Sequence, residues 1–187
     1  MQHQMALKRI LRYLSGTRSH SITYVYSPDK PITFKGFSNA AYADREDKKS
    51  TAGYVYLANQ GAITWRSGKQ PVTTQSTTEA EYIAMWDAAK EASWLRNLYR
   101  DLGYTQREPT QIMCDNTSAV AIAKNLLYHK RTKHIDSHYH WVHEKVTAGR
   151  FEVEFCPMNE QTADIFTKPL PRPKHVQHTR EMGLSPV

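Results

Sequence analysis

Ser76-Thr77-Thr78-Glu79-Ala80-Glu81-Tyr82 marks the point at which the chain changes from predicted strands to predicted helices, and this change decides the fold. Ser76 and Thr78 are each followed three residues later by a glutamate, the capping-box spacing that begins a helix. Gly103, a residue type that commonly ends helices, closes the pattern. The stretch therefore predicts the longest helix of the chain, with Glu81 in its first turn. Its predicted buried stripe consists of Ala80, Ala84, Ala88, Leu95, Leu98 and Leu102.

Three predicted strands precede this helix. They cover residues 32–39, 52–58 and 62–66. The last two are joined by Asn59-Gln60-Gly61, a short hairpin connection, so the sheet is expected to begin with antiparallel strands. Further upstream, residues 5–14 have apolar side chains at helical spacing with basic residues opposite, and residues 21–26 alternate as a strand.

Helices and strands alternate after Gly103. The predicted order is a strand at 110–115, helices at 117–124 and 134–148, a strand at 151–156, and a final helix at 160–168 that Pro169 ends. A hairpin series followed by alternating helices and strands is typical of a mixed sheet with helices on its faces. We therefore predict one α/β domain.

Charge and cysteine content limit the classes of partner and compartment. The chain has 25 Lys and Arg against 18 Asp and Glu, a net charge of +7, which favours a polyanion such as nucleic acid. A merely soluble basic surface explains the charge equally well. Cys114 and Cys156 each end an apolar run, which predicts buried free thiols and a reducing, intracellular compartment. No stretch reaches the ~18 apolar residues of a membrane span, so no membrane partner is expected.

Three acidic residues and one amide lie on four separate predicted elements. Asn39 ends the first strand of the sheet, Glu81 opens the long helix, Asp115 ends the fourth strand and Asp164 lies in the final helix. These four residues are far apart in the sequence.

The chain resembles the ribonuclease H domain of a copia-type LTR retrotransposon polyprotein. The segments that carry the resemblance are Lys49-Ser50-Thr51-Ala52-Gly53-Tyr54-Val55, Ser76 to Tyr82, Cys114-Asp115-Asn116, Arg131-Thr132-Lys133-His134-Ile135-Asp136 and Ala163-Asp164-Ile165-Phe166-Thr167-Lys168. The resemblance implies a ribonuclease H-like fold, with a five-stranded mixed sheet of three antiparallel strands followed by two parallel ones, flanked by helices. It also implies that residues 1–18 are the helical tail of the connection behind a reverse transcriptase, and that residues 19–187 are the ribonuclease H domain.

The same resemblance implies a partner, a location and a reaction. The partners would be an RNA/DNA hybrid and the reverse transcriptase portion of the same polyprotein, in a cytoplasmic retrotransposon particle or in the nucleus. The reaction would be hydrolysis of the RNA strand by two divalent ions ~3.5–4 Å apart. Oxygen ligands suit Mg²⁺, with Mn²⁺ as a substitute, and the catalytic and metal-binding residues would be Asn39, Glu81, Asp115 and Asp164.

Asn39 departs from this pattern, because the resemblance implies aspartate at its position. An amide oxygen can coordinate a cation but carries no charge, so we predict weak metal occupancy and impaired cleavage. A deliberate exchange that traps substrate and a natural loss of activity both explain the residue, and a near-isosteric change beside three intact acids favours the first. The alternative function is a non-catalytic module that binds nucleic acid or a protein partner.

A hybrid-specific enzyme reads groove shape and 2′-hydroxyls, which requires small polar side chains with basic neighbours. The predicted nucleic-acid-binding residues are Arg66, Lys69, Gln70, Thr74, Gln75, Ser76, Asn116, Ser118, Lys130, Arg131 and Lys133. Asn116 and Ser118 could instead only cap the helix that follows. Trp86, Trp94 and Trp141 are predicted to pack inside the protein, and Glu79 and Asp47 to be solvated.

Overall fold

The computed structural model describes residues 2–28, 31–43, 47–125 and 136–187. In chain order its elements are α1 (Gln2–Thr17), β1 (His20–Ile22), β2 (Phe34–Ala41), β3 (Thr51–Ala58), β4 (Gly61–Lys69), α2 (Thr77–Asp101), β5 (Thr110–Cys114), α3 (Thr117–Lys124), α4 (Asp136–Thr147), β6 (Phe151–Phe155), a 3-10 helix (Thr162–Phe166), α5 (Arg172–Glu181) and β7 (Leu184–Pro186). Among these residues, none of the helices combines the length and the apolar character needed to cross a membrane.

The main sheet has five strands in the order β4-β3-β2-β5-β6. The pairs β2 with β3 and β3 with β4 are antiparallel, whereas β2 with β5 and β5 with β6 are parallel. This arrangement confirms the predicted mixed sheet. The hairpin connection at residues 59–61 and the alternation in residues 151–156 were among the sequence features that predicted its strands.

Two apolar clusters lie on opposite faces of the sheet. The larger one joins the sheet to α2, α3 and α4, and Tyr56, Tyr82, Ile83 and Ile112 are among its fully buried members. The smaller one joins Phe37 and Val55 to Ala163 and the partly buried side chains of the 3-10 helix. The 3-10 helix is therefore held against the face opposite α2. Both Cys114 and Cys156 are buried and free, as predicted.

Helix α2 begins where the capping box predicts. The hydroxyl of Ser76 accepts a hydrogen bond from the Glu79 backbone N–H at 3.2 Å, and the Glu79 carboxylate accepts one from the Gln75 N–H at 2.6 Å. The buried face of α2 is rich in alanine, which lets the helix approach the sheet closely enough for Tyr56 Oη to bond the Ala88 carbonyl at 2.7 Å. The capping role buries Glu79, so the prediction that it is solvated is wrong.

The predictions fail mainly at the two ends of the chain and at the end of α2. The expected final helix at 160–168 is a five-residue 3-10 helix, and α5 and β7 were not predicted. Instead of a strand at 21–26, a three-residue β1 pairs with β7 in a separate two-stranded sheet. Leu98 and Leu102 are exposed, so the prediction that they belong to the buried stripe is wrong.

Candidate metal centre

Four elements place the four predicted site residues at one end of the sheet. Asn39 lies on β2, Asp115 directly follows β5, Glu81 lies early in α2 and Asp164 lies in the 3-10 helix. In the parallel pair, Gly36 stands opposite Ile112 and Phe37 opposite Met113. Extending this register by two residues puts Asn39 level with Asp115. The site therefore lies at the carboxyl ends of β2 and β5, between α2 on one face and the 3-10 helix on the other.

Gly53 allows the 3-10 helix to reach this position. It stands opposite Asn39 in the β2–β3 pair. A Cβ atom at Gly53 would lie 2.6 Å from the Cβ of Phe166 and 3.0 Å from a methyl group of Thr167, distances that are shorter than real Cβ contacts. Only glycine leaves room for the turn that carries Asp164 to pack against β3 at this point. Ser67 on β4 holds the end of the same turn, because its hydroxyl donates to the Phe166 carbonyl at 2.5 Å.

Glu81 and Asp115 form what we call the carboxylate half of the site. One ligand atom each from Glu81, Cys114 and Asp115 lies within 4.8 Å of the others. Glu81 is buried, and its Oε2 has no hydrogen-bond partner among the described residues. Burial, then the charge of Asp115, raises the pKa of Glu81 to about 9. Burial, then the charge of Asp164, raises the pKa of Asp115.

Cys114 completes this three-residue cluster, but a soft thiolate suits a hard cation less well than carboxylate oxygens do. Burial, then the charge of Glu81, raises the pKa of its thiol well above the usual range. A thiol binds metal as the thiolate, which this environment disfavours. The position of Cys114 at the end of an apolar run predicted only that it is buried, and did not indicate that it contacts the site.

Asn39, Asp164, Lys168 and Lys174 form what we call the lysine half of the site. Asp164 is completely buried, and its Oδ1 is 2.8 Å from Lys168 Nζ while its Oδ2 is 2.7 Å from Lys174 Nζ. The Asn39 amide nitrogen donates to Asp164 Oδ1 and, at 3.0 Å, to the hydroxyl of Thr167. A buried carboxylate is thus surrounded by two ammonium groups and one amide donor.

The donor set suits a hard divalent cation. Carboxylate oxygens come from three residues, and the unpartnered Glu81 Oε2 is a buried acceptor, which a cation would satisfy at little cost. Asn39 can offer one uncharged oxygen, provided that its amide turns away from Asp164. The residues present therefore fit Mg²⁺ or Mn²⁺ better than a soft or nitrogen-preferring metal.

Several predicted nucleic-acid-binding residues lie where a ligand could meet them. Gln75 and Ser76 are exposed just before α2, and Ser118 is exposed in the first turn of α3. The Arg66 and Lys69 side chains are about half exposed on the edge strand β4, where they pair with Asp87 and Asp47. Asn116 is the N-cap of α3, because its side chain accepts from the Ala119 N–H at 2.9 Å.

Gln70 and Thr74 do not match their prediction. Gln70 is buried and donates to the Ala80 carbonyl at 2.8 Å, and Thr74 is buried against the Ser50 hydroxyl at 3.0 Å. Both side chains support the segment before α2 from inside, so neither can contact a nucleic acid in this conformation. Polar residue type alone could not reveal that they point inward. Lys130, Arg131 and Lys133 lie outside the described residues.

Aromatic residues near α2 divide between packing and exposure. Trp86 stacks on His138 with 3.8 Å between ring centroids, and the Lys90 ammonium lies 3.5 Å from the Trp86 centroid. Trp94 is exposed over more than half of its surface, so the prediction that it packs inside the protein is wrong. Lys174 was missed altogether, because no apolar periodicity marks α5.

Comparisons with known proteins find retrotransposon polyproteins that are similar in sequence to this chain. No family model matches the chain. The chain is 42% identical over 174 residues to the Retrovirus-related Pol polyprotein from transposon TNT 1-94 of Nicotiana tabacum, which covers 92% of the chain and 13% of that protein. It is 35% identical over 187 residues to the Pol polyprotein from transposon RE1 of Arabidopsis thaliana, again 13% of that protein. The chain thus spans about an eighth of the length of these relatives.

The fold is also that of a solved enzyme. The structure of LC11-RNase H1 in complex with an RNA/DNA hybrid covers 72% of the chain and 94% of its own, with a TM-score of 0.54 and 11% sequence identity. At this identity the likeness concerns the fold alone, which is therefore ribonuclease H-like.

Proposed function

From a chain that has a ribonuclease H-like fold and matches one segment of copia-type retrotransposon Pol polyproteins, we propose a ribonuclease H domain that binds RNA/DNA hybrids and hydrolyses the RNA strand. One observation carries the proposal: four separate elements bring Asn39, Glu81, Asp115 and Asp164 to one end of the sheet. Three of the four are carboxylates that two metal ions could share. Carboxylates this close together repel one another, and bound cations would remove that repulsion.

The residues of the site would divide the work between them. Two divalent ions, when bound, would activate a water molecule and stabilise the leaving oxygen. Glu81, Asp115 and Asp164 would hold them, and Glu81 would give up its proton as the cation arrives because its pKa is raised to about 9 without metal. Asn39 would contribute at most a neutral oxygen. The missing charge would weaken metal binding and impair cleavage in this chain.

The exposed residues around the site support a nucleic-acid partner. Gln75, Ser76 and Ser118 lie on the segments that lead into Glu81 and out of Asp115, and Arg66 and Lys69 lie on the neighbouring edge strand. Short polar side chains beside the scissile position suit contact with the 2′-hydroxyls of one strand. The net charge of +7 favours the same class of partner.

Helix α1 would join this domain to a reverse transcriptase portion of the same polyprotein. Its side chains Leu7, Ile10 and Leu14 lie at helical spacing and are each more than half exposed. An apolar face of this kind needs a covering surface. Residues 1–18 would then be the tail of the connection and residues 19–187 the ribonuclease H domain, within a cytoplasmic particle or in the nucleus.

A non-catalytic binding module is the second candidate, and one observation favours it. The lysine half is satisfied without any metal, since Asn39, Lys168 and Lys174 supply donors to both oxygens of Asp164. A domain that kept the fold after losing its cations would have these features.

Restoring the carboxylate separates the two candidates. We would purify the full chain and its Asn39→Asp variant and incubate each with a hybrid labelled on the RNA strand, in Mg²⁺ and in Mn²⁺. The proposal expects Asn39→Asp to raise cleavage of the RNA strand by at least about 10³-fold, with single-stranded RNA and duplex DNA left intact. The matched control is the Asn39→Asp, Glu81→Gln double variant, which should be inactive.

The other outcomes are equally informative. An Asn39→Asp variant that binds the hybrid tightly but leaves it uncut would support the non-catalytic module and overturn the catalytic proposal. Failure of both proteins to bind the hybrid, measured by fluorescence anisotropy at low salt, would overturn the catalytic proposal and a nucleic-acid-binding module, and would leave only a module that binds a protein partner.

A further inference from the structure

Lys174 forms two contacts that fix its ammonium group inside the metal centre. Its Nζ lies 2.7 Å from Asp164 Oδ2 and donates to the Met158 carbonyl at 2.9 Å. The two acceptors come from different segments, the 3-10 helix and the loop that precedes it, and the lysine itself comes from α5. A flexible side chain held at both acceptors has a defined position, unlike that of an ordinary surface lysine.

That position conflicts with metal binding. Asp164 is completely buried and can serve a cation only through its two carboxylate oxygens. Lys174 occupies Oδ2, and Lys168 and the Asn39 amide share Oδ1. An arriving divalent ion must therefore either share Asp164 with two positive groups or displace one of them, and it meets their repulsion at short range.

The two lysines differ in how easily they can leave. Lys168 is four residues from Asp164, its side chain is 39% exposed, and it can turn into solvent. The Lys174 side chain is 26% exposed and keeps its second acceptor, Met158. Lys174 is therefore the stronger competitor of the two.

We propose that Lys174 is a positioning residue that holds Asp164 in the metal-free site and competes with the divalent cation for Asp164 Oδ2. It thereby sets the metal concentration at which the site fills. The inference rests on the proposed function, because it requires that the four-residue site binds a cation at all. Lys174 is not one of the four site residues, and α5 does not supply any of them.

Metal binding itself provides the test, apart from catalysis. The Asn39→Asp chain serves as the parent because it has the full charge of the site, and Lys174→Gln, Lys174→Met and Lys174→Arg are made in it. Isothermal titration with Mn²⁺ gives the Kd, and thermal unfolding is followed in EDTA and in saturating Mn²⁺. The matched control is Lys145→Gln on α4, whose side chain is 25% exposed and also forms one ion pair.

The neutral variants are expected to bind Mn²⁺ more tightly and to be less stable when metal is absent. Lys174→Gln and Lys174→Met should each lower the Kd for Mn²⁺ by about tenfold, a modest share of the repulsion between close charges. Their Tm in EDTA should fall while the rise in Tm on adding Mn²⁺ grows. Lys174→Arg and Lys145→Gln should keep the parent Kd within about twofold. The methionine variant, which retains the apolar stem of lysine, replaces the glutamine variant if that protein does not fold.

Each contrary result has a separate meaning. An unchanged or higher Kd in both neutral variants would overturn the competition and leave the proposed function standing. A lower Tm with an unchanged metal-induced rise would reduce Lys174 to an ordinary structural contact and also overturn it. Absence of Mn²⁺ binding in the parent chain would overturn the proposed function and this inference together.

Discussion

The two halves of the metal centre solve the same electrostatic problem in opposite ways. In the carboxylate half, the described residues form no ion pair with Glu81 or Asp115, and the pKa of each of these acids is raised. In the lysine half, two ammonium groups and an amide surround Asp164. The difference teaches that the folded chain neutralises the carboxylate charge in the lysine half only. The carboxylate half depends on protons when metal is absent, whereas the lysine half depends on its own side chains.

The largest expected effect concerns the proton on Glu81. Its pKa is raised from 4.5 to about 9, so the folded chain keeps a proton that the unfolded chain has already lost. Stability in metal-free buffer should therefore fall as the pH rises through this window, by at least about 2 kcal/mol between about pH 5 and about pH 8. Glu81→Gln should remove this part of the pH dependence, measured as the urea midpoint in EDTA. Glu144→Gln, at an exposed position, should leave the slope as it is, and an unchanged slope in Glu81→Gln would contradict the assignment.

A smaller effect is expected from Asn39→Asp in the absence of metal. The change removes the amide donor to Asp164 and to Thr167 and puts a second carboxylate beside the first. We expect a loss of about 2 kcal/mol of unfolding free energy in EDTA, recovered when Mn²⁺ is added. Asn159→Asp, the same exchange in an exposed loop, should cost little. Equal stability of Asn39→Asp and the unchanged chain in EDTA would mean that Asn39 does not support the lysine half.

The smallest expected effect is that of Lys168→Gln. This lysine contacts Asp164 at 2.8 Å, but its side chain is 39% exposed, so solvent screens the pair. We expect a loss of about 0.5 kcal/mol in EDTA, less than the loss from Lys174→Gln, by chemical denaturation. Lys124→Gln, at an exposed position on α3, is the control. A loss larger than that of Lys174→Gln would reverse the order of the two lysines.

The sequence predicted the centre of the fold better than its ends. The five strands of the main sheet were all predicted, and the capping box located the start of α2 within one residue. Helix α5 was missed because Val176 is its only strongly apolar residue, so periodicity gave no signal. Strands β1 and β7 were beyond prediction for a different reason: each has three residues and exists through pairing with the other.

The candidate site was also predicted only in part. The resemblance implied that Asn39, Glu81, Asp115 and Asp164 form one site, and the structure places all four at one end of the sheet; their chemical roles stay predictions. Residue type could not tell that Gln70 and Thr74 point inward, since a polar side chain serves a buried carbonyl as well as a ligand. Lys174 could not be found without α5, so the lysine half became visible only in three dimensions.

Gly53 has a consequence for how the proposed site could be lost in related sequences. It contributes no charge, donor or ligand, yet a side chain there would collide with Phe166 and push away the turn that carries Asp164. Any amino-acid exchange at this position adds bulk, so a related sequence could lose the proposed site while every acidic residue is intact. A survey that judges such sequences by their carboxylates alone would count that one as having a complete site.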